Sequence, residues 1–167
     1  MSEFRLYPQE QHFWSFNDYR AVVEVTRRLR PWRVLEFGPG WSTLALIEGG
    51  AVQIDACEDD AHWAAVNRER LVGHYPHVAL HAYTWSERLA IAGIDERRYD
   101  LALIDGPAEI ARRPSVIAYC LARCAAVLVA LETGEGLLLR TVCERFGSGV
   151  EIIESGPLAG AFALVRS

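Results

Sequence analysis

The stretch Val34-Leu35-Glu36-Phe37-Gly38-Pro39-Gly40-Trp41-Ser42-Thr43-Leu44 decides the fold of this chain. It runs from an apolar segment through two glycines, one residue apart, into a segment with helical spacing. A buried strand, a glycine turn and a helix are therefore predicted, because glycine lets the backbone turn sharply and lets a ligand approach closely. The start of that helix offers backbone N–H groups to the ligand.

Strands and helices alternate along the rest of the chain. Strands are predicted over 32–37, 52–57, 77–83, 101–105, 125–131, 150–154 and 161–165, and helices over 16–30, 42–48, 60–73, 87–92, from 114 onward, and over 135–146. The apolar run that ends in Asp105 is typical of a parallel strand covered on both faces. The loop 155–160 is too short for a helical crossover, so the last two strands should be antiparallel neighbours. This pattern predicts a three-layer α/β/α sandwich with a mostly parallel sheet.

Composition and charge exclude several classes of protein. The 167 residues suit one domain, and a net charge of −5 argues against a nucleic-acid partner, which needs a basic surface. The N-terminus lacks the pattern of a signal peptide, and no apolar run approaches the ~20 residues needed to cross a membrane. Four cysteines (Cys57, Cys120, Cys124 and Cys143) are predicted to be unpaired core residues, which suits the cytoplasm.

Acidic residues around the glycine turn indicate which cofactor the chain binds. Glu58 comes twenty residues after Gly38, where an acid can accept hydrogen bonds from both hydroxyls of a ribose. Thr43 stands where a dinucleotide-binding turn has its third glycine. Glu36, two residues before the turn, would repel a diphosphate but attract an ammonium or a sulfonium. S-adenosylmethionine carries both cations and no phosphate.

Three segments together resemble the class I S-adenosylmethionine-dependent methyltransferases. Residues 36–40 resemble the first motif of that family, residues 58–60 the second and residues 99–107 the fourth. The final strand pair matches the family's reversed seventh strand. The resemblance implies a seven-stranded sheet of order 3-2-1-4-5-7-6, with the last strand antiparallel.

The resemblance also implies which residues bind the cofactor. These are Glu36, Phe37, Gly38, Pro39, Gly40, Ser42, Thr43, Glu58, Asp59, Thr84, Trp85 and Asp105. Glu36 and the glycine backbone would hold the methionine end, Glu58 the ribose, and Asp59 would lie beside the adenine. Trp85 follows the third strand, where many members have Asp, and its ring could stack on the base. Asp105 would face the methionine end and the methyl acceptor.

Catalysis of methyl transfer depends mainly on aligning the acceptor with the methyl group, and a base is needed only if the acceptor must lose a proton early. Asp105 and Glu132 are the candidate catalytic residues. In metal-dependent O-methyltransferases, comparable strand ends supply acidic ligands, so Asp105 and Glu132, with Thr133 beside them, could hold Mg²⁺. We prefer a metal-free site in which Asp105 serves the cofactor and Glu132 is solvated.

The methyl acceptor should contact the loop 108–113 and four residues of the N-terminal segment, Tyr7, Gln11, His12 and Trp14. We divide the chain into residues 1–31, a segment and helix that cap the site, and residues 32–167, the methyltransferase domain. In the loop, Arg112 and Arg113 could receive an acidic group of the acceptor or could be surface charges. The chain has little beyond the minimal fold, which suggests a small-molecule acceptor or closure by a partner subunit, as in a homodimer.

Three functions remain open at this point. The first is a methyltransferase that acts on a small molecule at oxygen. The second is an NAD-dependent oxidoreductase, which Thr43 and Glu36 disfavour. The third is a non-catalytic module that binds S-adenosylmethionine. Two further expectations concern single residues: Trp63 should pack its helix against the sheet, and His81 should have a loop or surface role.

Overall fold

The computed structural model describes residues 16–86, 88–131, 136–155 and 161–166. Its helices are α1 (Phe16–Leu29), α2 (Trp41–Gly49), α3 (Ala61–Asn67), α4 (Arg113–Leu121) and α5 (Gly136–Phe146). Its strands are β1 (Arg33–Phe37), β2 (Gln53–Glu58), β3 (Val78–Ala82), β4 (Leu101–Ile104), β5 (Ala126–Leu131), β6 (Gly149–Glu154) and β7 (Ala161–Arg166). A π-helical turn over Arg68–Val72 extends α3, and a 3-10 turn over Ile110–Arg112 precedes α4.

The seven strands form one sheet in the order β3-β2-β1-β4-β5-β7-β6, as predicted. Strands β1 to β5 pair in parallel, whereas β7 runs antiparallel to both β5 and β6. Helices cover both faces, so the α/β/α sandwich is confirmed. Within the described part of the chain, no helix is long and apolar enough to cross a membrane.

Alternate residues of the parallel strands build two separate hydrophobic cores. In β1, Val34 joins the core that also contains residues of α1 and α2, together with Leu71 of the turn after α3. Leu35 points the other way, into the core that contains residues of α4 and α5. All four cysteines are free and buried, as predicted. Apart from Asp55 of β2, the middle of the sheet is apolar on both faces, so polar chemistry is concentrated at the strand ends.

Helix α1 belongs to the sandwich, since it packs beside α2 in the first core. Arg28 forms a two-point ion pair with Glu151 of β6, with N–O distances of 2.7 and 3.0 Å. The hydroxyl of Ser155 donates a hydrogen bond to Asp18 near the start of α1. Residues 1–15, including the predicted acceptor contacts Tyr7, Gln11, His12 and Trp14, lie outside the described residues.

Two local predictions are wrong. The described residues 88–92 do not form a helix, because the backbone N–H of Ile91 bonds the side chain of Asp95 instead of a helical carbonyl. Buried Ile91 and Ile94 anchor this segment to the second core, and Ile94 itself lies in a turn over 92–96. Trp63 is 36% exposed and belongs to neither hydrophobic core, whereas the buried residues of α3 are Ala64 and Asn67.

A buried carboxylate joins β2 to the chain between β3 and β4. Both oxygens of Asp55, which is fully buried, lie 2.9 Å from Nη1 of Arg97. His81 of β3 contacts Asp55 at 2.9 Å and the hydroxyl of Tyr99 donates to it at 3.1 Å, so the predicted surface role of His81 is wrong. Burial alone would raise the pKa of Asp55, but these hydrogen bonds and the charge of Arg97 hold it below the ordinary value.

We expect Asp55→Asn to lower the free energy of unfolding by about 2 kcal/mol, because a neutral amide cannot compensate Arg97 or accept all these bonds. Urea unfolding near pH 7 measures this change. A carboxylate with a depressed pKa stabilises the fold above its unfolded value of 3.8, so the difference between the proteins should shrink as the pH falls below about 4. Glu144→Gln, which removes an exposed ion pair with Arg140, is the control, and an equal loss there would contradict the prediction.

Candidate active site

Three acidic side chains share one face and one edge of the sheet. Glu36 of β1 pairs in register with Ala56 of β2 and with Leu103 of β4. Glu58 and Asp105 lie two positions beyond those partners, and side chains two residues apart on a strand point to the same face. The carboxyl ends of β1, β2 and β4 therefore bring the three predicted carboxylates together, on the face covered by α1 and α2.

Glu36 is fully buried beneath the glycine turn. The hydroxyl of Ser42 donates to one carboxylate oxygen at 2.5 Å, and the hydroxyl of Thr43 donates to the other at 2.7 Å. Burial raises the pKa of Glu36 to about 8; the two hydroxyl bonds oppose that rise, and the charges of Asp105 and Glu58 add to it. A positive charge near this carboxyl group would therefore favour its ionised form.

Glu58 ends β2 and is 9% exposed. One of its oxygens accepts a hydrogen bond of 3.0 Å from the backbone N–H of Asp60. Burial raises the pKa of Glu58 to about 7, and the charges of Asp59 and Asp60 raise it further against the effect of that hydrogen bond. Asp60 also caps α3 by accepting from the backbone N–H of Trp63 at 3.0 Å.

The glycine turn leaves β1 through a position that tolerates only glycine. Gly38 has a φ of 81°, and a Cβ added to it would lie 2.6 Å from the backbone N of Gly106. The two glycines thus bring the turn after β1 into direct contact with the loop after β4. By contrast, a Cβ at Gly40 would meet no atom of the described residues within 4 Å. The backbone at Gly40 therefore faces open space, as a ligand cradle requires.

Two buried polar residues, which the sequence patterns did not reveal, fix the loops of the site. Asn67 of α3 donates from its side-chain nitrogen to the backbone carbonyl of Pro39 at 3.0 Å. Arg113, only 2% exposed, donates to the carbonyls of Pro107 and Asp105 at 3.0 and 2.8 Å. Neither alternative weighed for Arg113, an acceptor contact or a surface charge, describes these buried bonds. A motif search misses both residues, because they bind backbone carbonyls, whose positions depend on the folded loops rather than on a pattern of side chains.

The side of the site beyond Glu58 contains Asp59, Thr84 and Trp85. Asp59 is partly buried, Thr84 is exposed, and Trp85 is half-buried against the second core. Phe37 is fully buried under this side and packs edge-on against Tyr83, with ring centroids 5.8 Å apart. Burial first, then the charge of Asp59, raises the pKa of Tyr83 beyond its ordinary value.

Of the two predicted catalytic residues, Asp105 lies within the described part of the chain. Asp105 is partly exposed at the end of β4, and its backbone N–H bonds the carbonyl of Phe37 at 2.9 Å. Glu132 and Thr133 lie outside the described residues. Within the described residues, no group of three or more His, Cys, Asp or Glu side chains is arranged to hold a metal ion.

Comparison with known proteins identifies the fold. No family model and no curated protein matches the chain in sequence. In structure, it is similar to the O-methyltransferase TomG from Streptomyces achromogenes, involved in tomaymycin synthesis and solved with S-adenosylmethionine. The TM-score is 0.69 at 17% identity, over 99% of this chain and 86% of that one. It also resembles the methyltransferase domain of bacterial CtHen1-CN, with a TM-score of 0.68 at 16% identity, over 92% of this chain and 100% of that one.

An O-methyltransferase from Bacillus cereus, solved with S-adenosylhomocysteine, is also similar in structure. Its TM-score is 0.66 at 16% identity, over 96% of this chain and 84% of that one. The chain therefore has the fold of the class I S-adenosylmethionine-dependent methyltransferases, as the sequence motifs indicated.

The two glycines of the turn should respond differently to alanine. We expect Gly38→Ala to destabilise the fold by about 3 kcal/mol or more, because its φ is positive and the new Cβ meets backbone. Gly40→Ala should leave the free energy of unfolding within about 0.5 kcal/mol of the parent. Urea unfolding of the two variants measures this, and equal destabilisation would contradict the geometry.

Glu36→Gln should stabilise the unliganded protein. A carboxyl group whose folded pKa is near 8 and whose unfolded pKa is near 4.5 stabilises the fold less and less as the pH rises between those values. The neutral amide does not ionise and therefore does not destabilise the fold in this way. We expect the free energy of unfolding to rise by on the order of 1 kcal/mol near pH 8 and by less near pH 5. Thermal unfolding at both pH values measures it. A stability cost that is larger near pH 8 would contradict the burial of an uncompensated carboxylate.

Proposed function

We propose that the chain is an S-adenosylmethionine-dependent methyltransferase that acts on a small molecule at oxygen. One observation carries the proposal: a fully buried carboxylate, Glu36, lies directly under the glycine turn, and Glu58 and Asp105 lie on the same face of the sheet. A ligand with positive charge relieves the repulsion among these groups, whereas a ligand with negative charge increases it.

The cofactor fits the residues that surround the turn. S-adenosylmethionine brings an ammonium and a sulfonium. Burial raises the pKa of Glu36, and a cation nearby would oppose that rise by favouring the ionised carboxylate. The open backbone at Gly40 leaves room for the amino-acid end. A dinucleotide would bring its diphosphate to the turn, within the field of the same carboxylates, so an oxidoreductase with NAD is disfavoured.

Each part of the cofactor has a proposed group of residues. The turn Gly38–Gly40 and Glu36 hold the methionine end, with Ser42 and Thr43 fixing the carboxylate. Glu58 accepts the ribose hydroxyls. The base lies toward Asp59, Thr84 and Trp85, with Phe37 beneath them. Pro39 contributes through its carbonyl, which binds Asn67 and fixes the turn.

The chain contributes to the reaction mainly by binding and alignment. When bound, the cofactor supplies a methyl group on a positively charged sulfur, which is a good leaving group without further activation. The residues after β1 and β4 fix the direction from which an acceptor approaches. Asp105 is the proposed acceptor-side residue, and it can take the proton of a hydroxyl as the new O–C bond forms. Glu132 is a second candidate for that step.

The wider proposals concern the surroundings of the site. Residues 1–31 would cap the acceptor side of the domain formed by residues 32–167, and a partner subunit could complete it. We propose a metal-free mechanism in the cytoplasm, with a small hydroxylated acceptor and no nucleic acid. Structures solved with S-adenosylmethionine and S-adenosylhomocysteine among those of similar fold support the cofactor assignment.

Calorimetric titration with S-adenosylhomocysteine tests the cofactor directly. We expect saturable binding, and we expect Glu58→Gln to weaken it by about tenfold to a hundredfold, because hydrogen bonds from ribose to a charged acceptor are lost. Glu144→Gln, far from the turn in sequence and exposed, should bind like the parent. A thermal shift with NAD serves as the competing test.

Three results would change the proposal. Absence of binding to both S-adenosylmethionine and S-adenosylhomocysteine overturns it. Stabilisation by NAD alone supports the oxidoreductase. Tight cofactor binding without methyl transfer to any member of a panel of hydroxylated small molecules supports the non-catalytic binding module instead.

A further inference from the structure

Arg112 lies across the carboxyl edge of the sheet and contacts three separate loops. It ends the 3-10 turn after β4, and its Nη1 lies 3.3 Å from a carboxylate oxygen of Asp59, directly after β2. Its guanidinium carbon lies 5.5 Å from the ring centroid of Trp85, which follows β3. Its Nε lies 2.6 Å from Glu109 in its own loop.

The strand order makes this arrangement significant. Strand β1 lies between β2 and β4, so a contact between the loop after β4 and the loop after β2 must cross the end of β1. That strand end carries the glycine turn. Arg112 therefore joins the loops on both sides of the turn and reaches the loop after β3 as well.

The backbone beneath Arg112 is fixed, whereas its side chain is partly open to solvent. The next residue, Arg113, is buried and bonds the carbonyls of Asp105 and Pro107, which holds this end of the loop. The side chain of Arg112 is 34% exposed and that of Asp59 is 16% exposed. An ion pair at this exposure adds little to folding stability, so its main effect is to set where Asp59 and Trp85 lie.

We propose that Arg112 is a positioning residue that closes the base end of the cofactor pocket and gives the pocket its preference for adenine. The inference rests on the proposed function, since it takes the region beside Asp59 and Trp85, next to Arg112, as the place of the base. Arg112 contacts Asp59 from the side of β4 and so holds the carboxylate of Asp59 in one position. In that position, the carboxylate accepts a hydrogen bond from the exocyclic amino group of adenine.

Arginine suits this role better than lysine. A planar guanidinium can donate to Asp59 and Glu109 from different nitrogens while it stacks over an aromatic ring, whereas an ammonium is a compact charge that cannot do all three. Its charge also compensates Asp59, whose negative charge otherwise acts on the neighbouring Glu58. Loss of Arg112 would therefore disturb both the base end and the ribose end of the pocket.

Calorimetric titration with two ligands tests the proposal. One is S-adenosylhomocysteine, and the other is S-inosylhomocysteine, in which a ring carbonyl replaces the amino group of adenine. The parent protein should prefer the adenine ligand by about tenfold or more, because a carbonyl cannot donate to Asp59. We expect Arg112→Ala to lower the affinity for S-adenosylhomocysteine by about tenfold and to reduce the preference to about twofold. Arg112→Lys should be intermediate.

The outcomes separate the two proposals. If the parent protein does not bind S-adenosylhomocysteine, the proposed function fails. If the parent binds it and Arg112→Ala binds both ligands as the parent does, or loses the same factor for both, the role of Arg112 is refuted, because a general structural role would leave the preference unchanged. Arg140→Ala, which removes an exposed arginine from α5, should match the parent in both titrations. Thermal unfolding of Arg112→Ala within about 2 °C of the parent shows that the fold is intact.

Discussion

The burial of Glu36 is the constraint on which the rest of the site depends. A carboxylate without exposure to water is costly unless hydrogen bonds or opposite charge compensate it. Ser42 and Thr43 supply two hydrogen bonds, but Asp105 and Glu58 add negative charge rather than relieve it. Such an arrangement lowers the free energy of unfolding of the protein without ligand. The same negative charge favours the binding of a cationic ligand.

The scaffold around Glu36 consists of contacts that keep the turn in one shape. Gly38 and Gly106 touch backbone to backbone, which sets the distance between the loops after β1 and β4. Asn67 reaches the same turn from α3, and Arg113 holds the loop after β4 from the opposite side of the sheet. The contact between the two glycines and the bond from Asn67 each join segments that follow different strands, so the strand order brings these parts of the site together. Arg112 contacts Asp59 and Trp85 at the remaining edge of the proposed pocket.

The sequence predicted the sheet and the acidic edge because both follow from short-range patterns. Strands that end in acids, such as the one before Asp105, and a glycine turn at a fixed distance from Glu58 are visible in a single sequence. Once β1 pairs in register with β2 and β4, the carboxylates of Glu36, Glu58 and Asp105 fall on one face, because residues two apart on a strand point the same way. The fourfold bonding of Asp55 could not be predicted, since its partners are 26 to 44 residues away and look like ordinary surface residues in the sequence.

Tertiary contacts also explain the failures. The segment 88–92 has a helical composition, but the bond from Ile91 to Asp95 and the burial of Ile94 select a turn instead. Trp63 is large and apolar, which predicts a packed position, yet α3 buries the smaller side chains of Ala64 and Asn67 instead. In both cases, packing outweighed local preference.

A crystal structure of the protein with S-adenosylmethionine bound measures the central claim most directly. We expect the ammonium and sulfonium of the ligand at the glycine turn, on the sheet face that carries Glu36 and Asp105, and the ribose hydroxyls on Glu58. A ligand bound elsewhere, or a glycine turn whose backbone N–H groups bind phosphate or another anion in preference to this ligand, would contradict the claim that buried carboxylates select a cation.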